Sequence, residues 1–346
     1  MAKMKVVLVR CPNWTGDIVM ATPVFRCLRR NFPEAQIIAC VRNYAQGILR
    51  DNRNVDEILP CDDKSISGVL ETSKKIKACS PDTTLLLPNS FKAWLEARLG
   101  NSHTIYGYRR GPRKLVMPHG AEPKRNAGQI VPLPMTEYYL NICRQMGLKE
   151  TNDESLELGV SEKLQAAGDD ILRGAGVQPH TMFIGLNPGA SFGSSKCWDV
   201  DNFARLAELL QQEWLCPVVL FGSPKETGIT REIQKRTNAD VVDTAALNID
   251  LEYLKPLIRR CSLLITNDTG PRHYAVAFGV PVVVIMGPTN PAYTASNLDK
   301  TAVVRVDVQC GPCHKKICPR DHRCMTRISP ENVLNEAKKL MHRLNR

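Results

Sequence analysis

A polar heptapeptide, Asn267-Asp268-Thr269-Gly270-Pro271-Arg272-His273, has the residue types and the spacing of an anion-binding turn. It follows the apolar residues 262–266, which are typical of a buried strand, and precedes residues 274–278, which are typical of a short helix. The first N–H groups of a helix have no helical acceptor and lie at the positive end of its dipole, which suits a diphosphate. Asp268 and His273 would add side-chain contacts, and an ordinary turn capped by the Asp is the alternative.

A second turn has the same order of elements. Residues 182–186 predict a strand, and residues 200–213 predict a helix whose apolar residues share one face. The loop between them is rich in Gly and Ser, includes Ser191, and contains Lys196, a point charge of the kind that usually contacts phosphate. It is not a Walker loop, because no Gly-Lys-Ser/Thr stands at the helix start, and a solvated surface loop is the alternative.

A third turn lies near the start of the chain. Residues 5–9, mostly valine and leucine, predict a strand, residues 10–17 a turn and residues 18–28 a helix. The turn lacks the GxGxxG spacing of a dinucleotide-binding fold, but Gly16 allows close backbone approach. Asp17 would lie at the carboxyl edge of the strand, where ligands collect in open α/β sheets. A helix N-cap is the alternative role for Asp17.

Four motifs in this order resemble the family-9 glycosyltransferases, the ADP-heptose:lipopolysaccharide heptosyltransferases, and within them the heptosyltransferase II group. The resemblance covers essentially the whole chain and rests on Gly16-Asp17-Ile18-Val19-Met20, on Leu87-Pro88-Asn89-Ser90-Phe91-Lys92, on Asn187-Pro188-Gly189-Ala190 with Lys196 and Trp198, and on Asn267-Asp268-Thr269-Gly270-Pro271 with His273. The sequence departs from the usual pattern at Thr269, Arg272 and Asp199, where Ser, Met and Pro are common. None of these departures removes a chemically necessary group.

The resemblance implies a GT-B fold, in which two doubly wound Rossmann-like domains face each other across a cleft. Strand–helix alternation in both halves of the chain also predicts two α/β sheets of this kind. We expect an acceptor-binding domain over residues 1–160 and a nucleotide-sugar-binding domain over residues 161–330. We expect residues 331–346 to form a C-terminal helix that packs back toward the first domain.

The resemblance also implies a reaction and its residues. The protein would be an inverting glycosyltransferase, a lipopolysaccharide heptosyltransferase II, that moves heptose from ADP-L-glycero-D-manno-heptose to heptosylated Kdo-lipid A without a cofactor. Asp17 would be the catalytic base. The donor would be bound by Ser191, Lys196, Gly222, Glu226, Asp268, Thr269, Gly270 and His273. The acceptor would be bound by Gly16, Asn89, Lys92, Arg109 and Arg110. Glu226 also fits a helix-face acid, and His273 a core histidine.

Charge and composition narrow the classes of partner. The chain has 346 residues, and its 46 Lys and Arg against 35 Asp and Glu give a net charge of +11. That charge favours an anionic partner, such as an acidic membrane surface, a phosphorylated glycolipid or a nucleic acid. No nucleic-acid-binding motif is present, which disfavours the last. No apolar run is long enough to span a bilayer, and the N-terminus lacks a signal-peptide pattern. We therefore expect a cytoplasmic protein, peripheral on the inner face of the inner membrane, and the sequence leaves its oligomeric state open.

The cysteines allow three interpretations. Four of the 13 lie in a C-x2-C-x4-C-x5-C pattern at Cys310, Cys313, Cys318 and Cys324. The pattern resembles a small metal-ligand set, but the usual pair of CxxC motifs is missing. A structural metal and a redox-labile cluster are the alternatives to reduced thiols, which we favour, so we predict no metal site.

Two functions of other classes stay open. A GT-B sugar-nucleotide epimerase would convert the donor without an acceptor, and a non-catalytic protein would bind nucleotides or polyanions without turnover. Transfer at another position of the lipopolysaccharide core is a third alternative, within the same enzyme class.

Overall fold

The computed structural model describes residues 4–344, which form two compact units. The first unit consists of the described residues up to Gly159 together with Ala292–Ser296. The second consists of Val160–Pro291 together with the described residues from Asn297 onward. The division lies next to the boundary expected at residues 160–161. Residues 1–3 of the expected first domain and residues 345–346 of the expected C-terminal helix lie outside the described part.

A parallel five-stranded sheet forms the centre of the first unit, in the order β3-β2-β1-β4-β5. The strands are β1 (Val6–Arg10), β2 (Gln36–Arg42), β3 (Glu57–Cys61), β4 (Thr83–Leu86) and β5 (Thr104–Gly107). Strand β1 pairs with β2 on one side and with β4 on the other, so the winding direction reverses beside it. In an open α/β sheet such a reversal leaves a crevice at the carboxyl ends of the strands, where ligands bind.

Helices cover this sheet, and a small hairpin follows it. The helices are α1 (Thr15–Met20), α2 (Thr22–Asn31), α3 (Gln46–Leu49), α4 (Ile66–Cys79), α5 (Phe91–Leu99), α6 (Arg113–Val116) and α7 (Met135–Gln145). The hairpin strands are β6 (Arg125–Asn126) and β7 (Gln129–Ile130).

The second unit repeats the architecture with six parallel strands in the order β10-β9-β8-β11-β12-β13. The strands are β8 (Ile184–Asn187), β9 (Val218–Leu220), β10 (Val241–Asp243), β11 (Leu263–Asn267), β12 (Val282–Ile285) and β13 (Thr301–Val304). The helices are α8 (Glu162–Gly174), α9 (Val200–Trp214), α10 (Thr227–Arg236), α11 (Leu254–Arg259), α12 (Gly270–Phe278), α13 (Arg323–Thr326) and α14 (Pro330–Leu344). The winding reverses here between β8 and β11.

The predicted α/β class, with two doubly wound sheets, is confirmed. The central strands are buried on both faces, as the parallel arrangement requires, and Leu8, Val9, Leu264 and Val283 have no exposed surface. Continuous apolar runs in the sequence therefore identify these strands correctly.

The first helix differs from its prediction. Residues 18–28 were expected to form one helix, but the structure has two, α1 and α2, with a break at Ala21. Pro23 lies in the first turn of α2 and has no N–H with which to continue a helical ladder, so the chain starts a new helix there. Because α1 already begins at Thr15, Asp17 lies within its first turn and is not its N-cap.

The C-terminal helix α14 packs within the second unit, where its apolar residues Val333, Ala337 and Leu340 are buried in the core. Packing of residues 331–346 toward the first domain stays a prediction. That core includes Phe203 and Leu206 of α9, which supply the apolar surface that this face of α14 needs. Within residues 4–344, no helix combines the length and the apolar character that crossing a bilayer requires.

Candidate active site

Asp17 lies at the carboxyl edge of the first sheet, directly after β1 and in the first turn of α1. Tyr139 of α7 is only 3% exposed, and its side chain is hydrogen-bonded to the Asp17 carboxylate. Burial, and next the charge of Asp17, raise the pKa of Tyr139 well above its usual value. The phenol therefore stays protonated and donates a hydrogen bond to Asp17. The position at a helix start also favours a negative charge. Asp17 is therefore an oriented carboxylate.

A buried ionic network fixes the turn that carries Asp17. The Arg10 Nε atom lies 2.8 Å from Glu96 Oε2, its Nη2 atom lies 3.2 Å from Asp63 Oδ2, and Nη1 donates to the Cys11 carbonyl at 2.8 Å. Arg42 also contacts Asp63, at 2.6 Å. Burial alone would raise the pKa of Asp63, but Arg42 and Arg10 hold it below its usual value. Charge pairs of this kind resist distortion, because removing one partner leaves a buried charge uncompensated.

The residues predicted to bind the acceptor follow strands of the same sheet. Gly16 lies in α1, Asn89 comes after β4, and Arg109 and Arg110 come after β5. The carboxyl ends of parallel strands share one edge of a sheet, so the structure brings these segments to that edge. Lys92, in α5, is already engaged, because its Nζ donates to the Asp63 carbonyl at 3.1 Å.

Sequence reasoning missed two contacts beside Asn89. Tyr138 of α7 donates its hydroxyl to Asn89 Oδ1 at 3.1 Å, and its ring stacks on Tyr108 with centroids 3.7 Å apart. Arg113 of α6 donates to the Pro88 carbonyl at 2.6 Å. Neither contact has a sequence signal, because α7 and α6 are far from residue 89 along the chain.

The second unit places Lys196 against the polar heptapeptide. Its Nζ lies 2.8 Å from Asp268 Oδ2 and donates to the Asp268 carbonyl at 2.8 Å. Arg272 reaches the other carboxylate oxygen at 3.0 Å, and the Thr289 hydroxyl donates to Oδ2 at 2.7 Å. Burial opposes the charge of Asp268, but Lys196 and Arg272 hold its pKa far below the usual value. Two cations therefore surround one carboxylate, so the cluster has an excess of positive charge. The contacts with Asp268 also fix the position of the Lys196 side chain.

Helix α12 starts beside this cluster. Thr269 is its N-cap residue and makes no side-chain cap of its own. The Thr269 hydroxyl accepts instead from Asn187 at 3.4 Å, and Asn187 also donates to Thr266 at 3.2 Å. The helix start at Gly270 supplies backbone donors next to Lys196, a combination that suits an anionic phosphate group.

His273 is buried in α12. Burial, and next the charge of Arg272, lower the pKa of His273 to about 3, so the imidazole is neutral at physiological pH. It can therefore offer a hydrogen bond to a ligand but no positive charge.

This neutral imidazole makes folding sensitive to acid. Between pH ~6.5, the usual pKa of histidine, and pH about 3, the pKa of His273 in the folded chain, the unfolded chain binds a proton at His273 and the folded chain does not. The free energy of unfolding should therefore fall as pH decreases, by up to ~1.4 kcal/mol per unit for this one group. Urea unfolding from pH 7 to pH 4.5 should show a shallower decline for His273→Gln. The exposed His342 of α14 gives the control, and His342→Gln should keep the wild-type slope. Equal slopes for His273→Gln and wild type would contradict the buried neutral state.

Glu226 lies against the Gly-rich loop. A Cβ atom at Gly189 would come within 1.9 Å of Glu226 Oε1, so a larger residue there would displace the Glu226 side chain. The other carboxylate oxygen accepts from the Ser223 N–H at 2.8 Å and from its hydroxyl at 2.7 Å, which forms a capping box. Gly222 is also tightly packed, since a Cβ there would lie 3.1 Å from Ala245. Ser191 is exposed on the same loop.

The cysteine-rich segment supports this loop from one side. The Ser195 N–H donates to the Lys316 carbonyl at 3.1 Å, and His322 Nε2 lies 2.7 Å from the Ser195 carbonyl oxygen. Cys310, Cys313, Cys318 and Cys324 are free thiols that line one cavity of about 230 Å³. Within residues 4–344, no three His, Cys, Asp or Glu side chains are arranged to hold a metal ion. The absence of a metal stays a prediction.

The sequence profile of glycosyltransferase family 9 (heptosyltransferase) matches residues 69–323. The chain belongs to this family. It is therefore a glycosyltransferase, as predicted from the four motifs.

Individual relatives extend the similarity to nearly the whole chain. Lipopolysaccharide heptosyltransferase 2 of Escherichia coli K12 is 27% identical, over 97% of this chain and 98% of that protein. Lipooligosaccharide heptosyltransferase 2 of Campylobacter jejuni subsp. jejuni serotype O:6 is 26% identical, over 96% and 98%. The solved structure described as E. coli ADP-heptose lps heptosyltransferase II is 25% identical, with a TM-score of 0.81 over 99% of this chain and 100% of that one. The predicted resemblance to the heptosyltransferase II group and the predicted GT-B class are confirmed.

Proposed function

We propose that this family-9 glycosyltransferase moves heptose from ADP-L-glycero-D-manno-heptose to the heptosylated Kdo-lipid A core of lipopolysaccharide. The observation that carries the proposal is the Lys196–Asp268–Arg272 cluster at the start of α12, which suits the diphosphate of a nucleotide sugar. The names of the relatives support heptose as the sugar and lipopolysaccharide as the acceptor.

The donor half of the chemistry needs a stabilised leaving group. As the anomeric carbon–oxygen bond breaks, the departing ADP gains negative charge on its terminal phosphate. Lys196 and the backbone N–H groups at Thr269 and Gly270 would offset that charge. Asp268 would hold Lys196 in place, since both of its carboxylate oxygens already have partners. His273 and Ser191 would add hydrogen bonds, and Glu226 would accept from the ribose hydroxyls.

The acceptor half of the chemistry needs a base. Asp17 would take the proton of the attacking hydroxyl as the new bond forms to the anomeric carbon. Because attack comes from the face opposite the leaving group, the anomeric configuration would be inverted without a covalent enzyme intermediate. Gly16, Asn89, Lys92, Arg109 and Arg110 would contact the anionic acceptor.

The orientation of the base by Tyr139 gives a testable pH effect. Tyr139→Phe removes a hydrogen bond that favours the ionised carboxylate of Asp17. The acidic limb of the pH profile of kcat should therefore move to higher pH, because the ionised carboxylate loses a hydrogen bond. Initial rates of ADP release between pH 5 and 9 measure the limb.

The matched control for this prediction is another buried tyrosine. Tyr274 of α12 donates its hydroxyl to the Leu251 carbonyl at 3.1 Å and belongs to the other unit. Tyr274→Phe loses the same hydroxyl and should leave the acidic limb in place. A limb that stays at its wild-type position in Tyr139→Phe would refute the tuning of Asp17 by this contact.

ADP release in the presence and absence of acceptor tests the proposal against its alternatives. We expect ADP-heptose to be consumed only when heptosylated Kdo-lipid A is present. Isomerisation of the sugar nucleotide without any acceptor would indicate an epimerase, and binding without turnover would indicate a non-catalytic protein. Turnover only with an acceptor that lacks the first heptose, or with one that is already extended further, would move the reaction to another core position.

A further inference from the structure

Helix α6 presents a large apolar side chain to solvent. Leu115 is 90% exposed, and its neighbour Val116 is also exposed. One exposed leucine is ordinary on a protein surface and needs no explanation by itself. Leu115 differs from an ordinary exposed leucine because basic residues surround it in the sequence.

The segment around Leu115 is strongly basic. We call residues 109–130 the basic tip, and they contain six Lys or Arg and a single acidic residue, Glu122. Glu122 contacts Arg109 at 3.2 Å and Lys114 at 3.8 Å, which joins the α6 part of the tip to the part that leads into the β6–β7 hairpin. Lys124 and Arg125 in the hairpin are exposed. Cationic side chains are therefore present on both parts of the tip.

Two buried residues anchor the basic tip. Arg113, on the same short helix as Leu115, is 1% exposed and donates to the Pro88 carbonyl at 2.6 Å. Met117 is buried, and its carbonyl accepts from Arg109 Nε at 2.9 Å. The buried residues Arg113 and Met117 thus lie on either side of three exposed residues of α6, Lys114, Leu115 and Val116. The anchors hold this exposed set in one orientation.

We propose that the basic tip docks on an anionic lipid bilayer, with Leu115 entering the interface and the surrounding cations contacting lipid phosphates. A bilayer is the occupant whose chemistry matches both features, because peripheral binding combines apolar burial with attraction to anionic headgroups. A nucleic acid would use the cations but gives no role to Leu115. The inference rests on the proposed function in one respect, that the acceptor carries a lipid anchor, so the enzyme meets it at a membrane.

Vesicle co-sedimentation of the full chain tests the docking without any substrate. The wild type should bind vesicles of phosphatidylglycerol and phosphatidylethanolamine, bind phosphatidylcholine vesicles much less, and lose affinity as salt increases. Leu115→Gln should lower the affinity for the anionic vesicles roughly tenfold, because one leucine leaves the interface.

A matched control comes from Leu215, which is 88% exposed at the end of α9 and follows the acidic Glu213 by two residues. Leu215→Gln makes the same change away from the basic tip and should bind anionic vesicles like the wild type. Equal binding by Leu115→Gln and wild type would overturn the proposal and indicate a general polyanion surface. Equal binding of the wild type to anionic and zwitterionic vesicles would overturn it as well.

Transfer to a delipidated, water-soluble core oligosaccharide separates this inference from the proposed function. Leu115→Gln should keep wild-type rates with the soluble acceptor and lose rate with acceptor embedded in anionic vesicles. Vesicle binding without any transfer would refute the proposed function and leave the docking intact. Transfer without Leu115-dependent vesicle binding would refute the docking and leave the function intact.

Discussion

Asp17→Ala is expected to lower kcat for heptosyl transfer by roughly 10²–10⁴-fold, the usual contribution of a general base. Affinity for ADP-heptose should stay within a few-fold of wild type, because the donor contacts that we propose lie in the second unit. ADP release measures kcat, and calorimetric titration measures donor affinity. Asp17→Asn should lose activity to a similar degree, since it keeps the size of the side chain but cannot accept a proton.

The control for Asp17 lies at the opposite end of the same sheet. Asp82, just before β4, accepts hydrogen bonds from the Lys5 and Val6 N–H groups at 2.7 and 3.0 Å. Asp82→Asn removes a carboxylate from the same unit and should leave kcat near its wild-type value. Near-normal turnover by Asp17→Ala would show that Asp17 is not the base.

Lys196→Ala is expected to weaken donor binding and slow transfer together. Lys196 would contact the diphosphate in the ground state and offset more charge as ADP leaves, so kcat should fall by roughly 10²–10³-fold while donor affinity also decreases. The variant also leaves the buried Asp268 with Arg272 as its remaining cation among these contacts. The thermal unfolding of the variant should therefore be measured beside its kinetics. Removing one partner of a buried ion pair typically destabilises a fold by about 3–5 kcal/mol.

Lys225 supplies the control for Lys196. It is exposed in the turn before α10, in the same unit. Lys225→Ala removes one positive charge and should change neither donor affinity nor kcat. Kinetics of Lys196→Ala that match those of Lys225→Ala would mean that Lys196 is a surface charge without a role in the reaction.

Local sequence features predicted the sheets and the three turns. Strands such as β11 are buried on both faces and appear as continuous apolar runs, and the polar residues directly after them lie at the edge where ligands bind.

Contacts between distant segments could not be predicted in this way. Lys196 and Asp268 are 72 residues apart, and their ion pair depends on how the loop after β8 folds over the start of α12. The contact between Tyr139 and Asp17 likewise joins segments that are far apart along the chain. The apolar stripe of α14 was visible in the sequence, but a stripe does not specify its partner, and the helix packs on α9.

Mass spectrometry of the glycolipid after incubation with ADP-heptose and this protein tests the central claim most directly. Heptosylated Kdo-lipid A should gain the mass of one heptose, with one ADP released for each heptose added. Consumption of ADP-heptose while the mass of the glycolipid stays unchanged would contradict the account.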